Sequence, residues 1–344
     1  MVDSNKIMEV MPIIYEKLIF NSSFLYNIGL LNGKLGIAIF FFHLAQKTDN
    51  KIFEEYACDL VDQMLISINQ HIPLEYVDGL AGIGVGIEYL IKQKFIHADA
   101  NEVLEDIDRA ILHHTQHHLP STLEMNTGIT GFGRYYIERL LNRKNSTVET
   151  PEKNQLIQII QKFSISNTNY RELLSVIHFF ANVIPLEIAS EQCYKNLNYA
   201  TEQLEAKVYE NLRLYIISIK IIQLLEIATT LIQASKTINC SFYSEKAHQF
   251  LQLYQPELRT NFKNESPSFK LKLSFLYHYL GTHFKNNSFL QLSEANLYDY
   301  LSQKKMYHVS MGLLEGYAGA GMYLLFLNGM PYDNYLDIIP CYVG

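Results

Sequence analysis

Four short glycine motifs, set at a nearly constant interval, constrain what this chain can fold into more than any other feature. They are Gly33-Lys34-Leu35-Gly36-Ile37-Ala38, Gly79-Leu80-Ala81-Gly82-Ile83-Gly84, Gly128-Ile129-Thr130-Gly131-Phe132-Gly133 and Gly316-Tyr317-Ala318-Gly319-Ala320-Gly321. Each reads G-x-x-G-x-[GA], and an apolar run follows each. The first three begin 46 and 49 residues apart (33, 79, 128), and the 188 residues from 128 to 316 make four steps of 47. The spacing predicts seven repeats, with three worn ones near positions 175, 222 and 269.

Each repeat reads as two helices. Apolar residues recur at three- and four-residue intervals over 7–20, 35–45, 52–68, 87–91, 103–114 and 135–141, as helices with one buried face require. No stretch sustains period-two alternation, so no sheet is expected. Glycine at the start of the second helix permits a tight turn and a close helix approach, because no side chain intervenes. Seven such hairpins predict a ring, with second helices lining it and first helices outside, forming one domain over 1–344. All 17 glycines lie at Gly133 or earlier, or at Gly281 or later. The middle keeps helical patterns (171–180, 186–206, 208–231, 269–280) but has lost the glycine-dependent turn.

Bulk properties exclude several classes. Hydrophobic residues make up 48% and charged residues 18%, so the chain is not disordered. The net charge is −7 with no dense Lys/Arg run, which argues against nucleic acid. The N-terminus carries Asp3 and Glu9 and lacks the basic-then-apolar design of a signal peptide. The apolar stretches fall short of the roughly 20 residues that span a bilayer. Four dispersed cysteines (Cys58, Cys193, Cys240, Cys341) give no disulfide framework and suit a reduced cytoplasmic setting.

The segments GLLNGKLGIAIFF, YVDGLAGIGVGIEYL, TGITGFGRYYIERL and GLLEGYAGAGMYLL resemble the first, second, third and seventh glycine motifs of the lanthionine synthetase C-like (LanC-like) proteins. The stretch 95–108 is similar to the linker after the second motif. The likeness is specific over 1–143 and 305–330 and only positional between. It implies an all-α fold, the α/α toroid of seven inner and seven outer helices, in a cytoplasmic protein of lanthipeptide-type peptide maturation. The implied partners are a precursor peptide and a dehydratase or other biosynthetic protein. In active members a zinc ion binds a substrate Cys thiol and lowers its pKa, and the thiolate adds to a dehydrated Ser or Thr. The family's ligands are a Cys in a Trp-Cys-Tyr-Gly motif of the fifth repeat and a Cys-His pair in a Cys-His-Gly motif of the sixth.

Neither motif survives here. The fifth repeat should fall within 211–222, which has no Cys, and the protein has no Trp. The sixth should fall within 266–273, and no cysteine occurs between Cys240 and Cys341. The expectation is therefore no metal site and no cofactor: a zinc-less, peptide- or partner-binding pseudo-cyclase. The alternative is an active lanthionine cyclase with unconventional ligands or none.

Four further features need a reading. His178 falls where the fourth repeat is expected and the family places a His there. It is the candidate cavity-lining acid or base, against the plainer reading of a hydrogen-bonded core His. His113, His114, His117 and His118 make two i,i+4 pairs, read as a solvated helix end that would bind nickel adventitiously. Asp78 is expected as a helix N-cap, and Arg134 and Arg139 as pinning turns or pairing with acids. A six-hairpin glycosidase barrel would need two facing carboxylates; Asp78 and Glu315 make no convincing pair.

Overall fold

A computed structural model describes residues 4–142, 150–166, 168–211, 217–252, 265–302, 310–313, 316–331 and 333–340. Among the described residues there is no strand, and no helix is long and apolar enough to cross a membrane. Among the described residues, helices alternate as seven pairs. In order these are α1 (Ser4–Ser22) and α2 (Lys34–Thr48), α3 (Lys51–Ser67) and α4 (Leu80–Lys92), then the one-turn α5 (Ala100–Val103) with α6 (Glu105–His117) and α7 (Ile129–Asn142). There follow α8 (Pro151–Lys162) and α9 (Tyr170–Val183), α10 (Ser190–Asn211) and α11 (Ile217–Ile238), α12 (Ser241–Gln252) and α13 (Pro267–Phe284), and α14 (Asn287–Leu301) and α15 (Tyr317–Leu327). A short α16 (Asp333–Ile338) ends the described chain. Seven pairs, not the six of a glycosidase barrel, match the repeat arithmetic.

The chain divides into two compact units, Met1–Ile72 with Thr260–Gly344, and Pro73–Arg259. In the second, α4, α7, α9 and α11 pack in succession; in the first, α13, α15 and α2 do so. These second helices form the core. In α4, for example, the residues from Leu80 through Leu90 are all buried.

The glycine motifs sit at helix starts, and they work by close approach. Gly33, Gly79 and Gly316 are the N-caps of α2, α4 and α15, with φ of −116°, −113° and −98° and ψ within two degrees of −171°. Any residue reaches such backbone angles. What excludes a side chain is space: a Cβ on Gly79 would lie 2.4 Å from the Pro73 carbonyl oxygen. That carbonyl belongs to a loop folded back over the helix end. In all four motifs the first helical N–H donates to the carbonyl seven residues earlier: Lys34 to Asn27 (3.0 Å), Leu80 to Pro73 (2.8 Å), Ile129 to Thr122 (3.0 Å) and Tyr317 to Ser310 (3.1 Å). A loop backbone thus satisfies the orphan N–H groups that a side chain usually caps. Asp78 is therefore not the cap of α4: Gly79 is, with no side-chain bond to the helix end.

Neighbouring loops also join. Tyr76 and Val77 N–H both donate to the Asn126 carbonyl (3.1 and 3.0 Å), and Leu313 N–H to the Leu31 carbonyl (2.7 Å). Counted from its own first glycine, the donor is residue −3 (Tyr76, Leu313) and the acceptor −2 (Asn126, Leu31) in both cases. One register serves both units.

The third motif position is a socket for a neighbouring ring. A Cβ on Gly84 would lie 2.3 Å from the Tyr135 ring, one on Gly133 2.3 Å from Phe179, and one on Gly321 2.3 Å from Phe40. Phe179 in turn stacks on Phe163 at 5.1 Å and meets Phe180 edge-on. Phe179 and Phe180 are buried core residues of α9.

Alanine is intrinsically a better helix former than glycine by about 1 kcal/mol. The clash at the socket should reverse that preference: Gly133→Ala should lose about 1–3 kcal/mol of unfolding free energy in urea. Adding Phe179→Leu should recover part of it, giving a coupled double-mutant cycle. Additive losses would mean that the ring does not occupy the socket.

Candidate functional site

The fourth repeat shows how the worn repeats are rebuilt. Here α9 starts on a side-chain cap: the Glu172 N–H donates to Asn169 Oδ1 (2.9 Å) and the Asn169 N–H to Glu172 Oε2 (3.0 Å), a reciprocal capping box. The other Glu172 oxygen accepts from the Leu123 N–H and the Thr122 hydroxyl, both at 3.2 Å. Ser175 Oγ accepts from the Met125 N–H at 3.2 Å. Two side chains therefore do what a glycine loop does in the intact repeats. The Asn-x-x-Glu spacing was visible in the sequence; its reach back to the loop before α7 was not.

His178 lies on α9 and is 4% exposed. Burial pushes its pKa down to about 3, and the nearby Arg134 guanidinium adds to this. Its carbonyl accepts from Asn182 Nδ2 at 2.8 Å. Arg134 pairs with Glu138 one turn on, both buried. The imidazole is thus neutral at neutral pH, in a packed and charged surrounding.

Arg139, 1% exposed, anchors a second buried polar group. It forks onto Asp108 (Nε–Oδ1 2.9 Å, Nη2–Oδ2 2.7 Å) and reaches Glu88 Oε1 at 2.5 Å and Asn101 Oδ1 at 3.2 Å. Asn142 Nδ2 donates to the other Glu88 oxygen at 2.8 Å, and the Tyr135 hydroxyl donates to Asp108. Burial alone would lower the arginine's pKa, but the Asp108 and Glu88 hydrogen bonds raise it above its usual value. For Glu88 the balance runs the other way. Loss of water outweighs Arg139 and Asn142 and lifts the carboxyl pKa. The bonds run between α4, α5, α6 and α7, so both arginines pair with acids, as the sequence reading expects.

The metal expectation can be tested on the donor set. At the sixth repeat, α13 starts on Ser266, whose hydroxyl accepts from the Phe269 N–H (3.2 Å), with Pro267 in the first turn. Lys270 follows, 6% exposed. Cys193 is buried, its thiol donating to the Ile188 carbonyl (3.4 Å), and burial raises its pKa to about 12. Among the described residues no three His, Cys, Asp or Glu side chains are grouped to hold a metal. These residues do not fit the family's zinc, which needs three N/S ligands and an open position. Glu315 and Cys341, named in the sequence reading, lie outside the described residues, as do positions 212–216 of the expected fifth repeat.

The histidine cluster ends α6. His113 and His117 have ring centroids 5.0 Å apart, His114 and His118 5.9 Å apart. His113, His117 and His118 are exposed. They form a solvent-facing helix end.

Residues 25–178 match the family described as lanthionine synthetase C-like protein. That segment is LanC-like. The match spans the first three glycine loops and runs through the rebuilt fourth repeat to His178 itself. Among solved structures, nisin cyclase is similar in fold, with a TM-score of 0.64 at 14% identity over 98% of this chain and 97% of that one. The chain therefore has the all-α, α/α-toroid fold. A comparison with curated proteins found no match.

His178 and His43, the latter also buried and lowered to about 4, carry a pH signature. Both folded values lie below the 6.5 of a free imidazole, so the unfolded chain takes up protons first as pH falls. Their contribution is full above about pH 6.5 and is lost below it, at up to about 1.4 kcal/mol per pH unit for each. Urea melts between about pH 4 and 6 should show a slope that His178→Gln flattens by that amount. An unchanged slope would contradict the burial of this histidine.

Proposed function

We propose that this LanC-like protein works in lanthipeptide-type peptide maturation as a pseudo-cyclase, binding a precursor peptide or a biosynthetic partner such as a dehydratase without zinc-dependent ring closure. On this reading it is a cytoplasmic protein in which 1–344 acts as one domain. One observation carries the reading: the scaffold is kept while the donor set is gone. The loop-over-helix bonds persist in four repeats in one register, whereas the stretches 211–222 and 266–273, where the fifth and sixth repeats' ligands are expected, carry neither Cys nor His.

The chemical consequence follows from the thiol. In active family members the zinc supplies a thiolate at neutral pH. A free cysteine has a pKa of about 8.5, so only a few per cent is thiolate near pH 7. A chain that binds the peptide without lowering that value leaves ring closure at its spontaneous rate. His178 does not replace the metal, because a neutral imidazole of such low basicity is a weak proton acceptor. Its role on this reading is to line and pack the interior of the fourth repeat.

The test is to mix tag-free protein with a dehydrated, Cys-containing precursor peptide and its dehydratase, and to count free thiols over time. The expected result is association with thiol loss at the rate of the mixture lacking this chain. Thiol consumption that rises with the chain's concentration would overturn the reading in favour of an active cyclase.

A further inference from the structure

The histidine cluster at the end of α6 is a motif that neither the glycine loops nor the lost metal site absorbs. Its four members are not equivalent. His113 and His117 are one turn apart and exposed, with ring centres 5.0 Å apart. His114 is half-buried, its ring packed against Phe132 at 5.4 Å. His118, the residue that ends the helix, stands 5.9 Å from His114 and 6.4 Å from His117.

Side chains four residues apart share one face of a helix, as a two-point chelate requires. The ring separation decides which pair can close one. A metal–nitrogen bond is about 2.0–2.1 Å and the ring centre lies about 1.1 Å beyond the nitrogen, so about 3.2 Å separates ion from centre. Two such arms bring the ring centres about 4.5 Å apart at a right angle and about 5.2 Å apart at the tetrahedral angle. His113 and His117, at 5.0 Å, fall inside that range as they stand. At 5.9 and 6.4 Å the pairings of His118 would open the angle at the ion to about 135° or more.

The surroundings also suit a cation. The pair lies at the C-terminal end of α6, where the helix dipole is negative. Arg109, one turn before His113 on the same face, is turned to Glu105 and Asp106, 3.1 Å from each. We infer that His113 and His117 chelate one divalent ion of the nickel, copper and zinc class, its remaining positions left to water. Imidazole nitrogen suits those ions, whereas Mg2+ and Ca2+ take oxygen ligands. Copper should bind most tightly of the three, following the usual order of divalent affinities. With two protein ligands the site is looser than the family's three-ligand zinc site and gives up its ion on dialysis. It does not depend on the pseudo-cyclase reading. The sequence shows two i,i+4 pairs without telling them apart; the ring distances do.

The probe is Ni2+ alone, titrated by calorimetry into the tag-free full chain after its bound metal has been stripped. The variants are His113→Gln, His117→Gln, His114→Gln and His118→Gln, each checked for folding by circular dichroism. The expected result is saturable binding of about one ion per chain, weakened about tenfold or more by His113→Gln or His117→Gln. The His114 and His118 variants should change it by less than about twofold, and Mg2+ should not compete. Pulsed electron paramagnetic resonance with substoichiometric Cu2+ should show two coupled imidazoles, falling to one in His117→Gln. No saturable Ni2+ binding, affinity lost evenly across the four variants, or a Cu2+ signal unchanged by His117→Gln would each overturn the proposal. The thiol count of the precursor mixture is read separately, so failure here does not imitate failure of the pseudo-cyclase reading.

Discussion

How closely a backbone can approach a helix end decides most of this architecture. At the intact repeats a loop lies so near the first turn that a Cβ on the capping glycine would sit about 2.4 Å from a carbonyl oxygen. That proximity lets the loop's carbonyls take the first helical N–H groups, and it lets adjacent loops bond to each other. Five residues into three of the motifs, at Gly84, Gly133 and Gly321, the same constraint recurs as a socket for an aromatic ring. The sequence repeat is the record of these two contacts. Glycine is needed there for room and not for unusual backbone angles.

The fourth and sixth repeats support this account by how their helices start. There α9 and α13 begin on Asn169 and Ser266 with ordinary side-chain caps. They therefore begin a few residues before the positions 175 and 269 that spacing alone suggests. In the fourth repeat Glu172 and Ser175 take over the bonds to the preceding loop. A side chain that reaches out can replace a backbone that comes close, and glycine then becomes dispensable.

Spacing and periodicity made the helices, their pairing and the start of each glycine-led helix legible, because those depend on local sequence. What was not legible depends on distant pairs. Asp78 has the right chemistry for a cap, but a backbone carbonyl already holds that helix end. Phe179 fills the Gly133 socket and stacks on Phe163, pairings that no local pattern announces. Arg139 was expected to find acids, yet nothing in the sequence says that Glu88, 51 residues away, would be one of them.

On the proposed reading scaffold and chemistry separate in this chain: the contacts at the glycine-led helix starts remain, while 211–222 and 266–273, where the fifth and sixth repeats are expected, carry no cysteine. Zinc content tests this most directly, because a real three-ligand site binds its metal tightly enough to survive purification. Elemental analysis of the tag-free protein, purified without chelator, is expected to give far less than one zinc per chain. About one tightly held zinc per chain, retained through dialysis, would contradict the account.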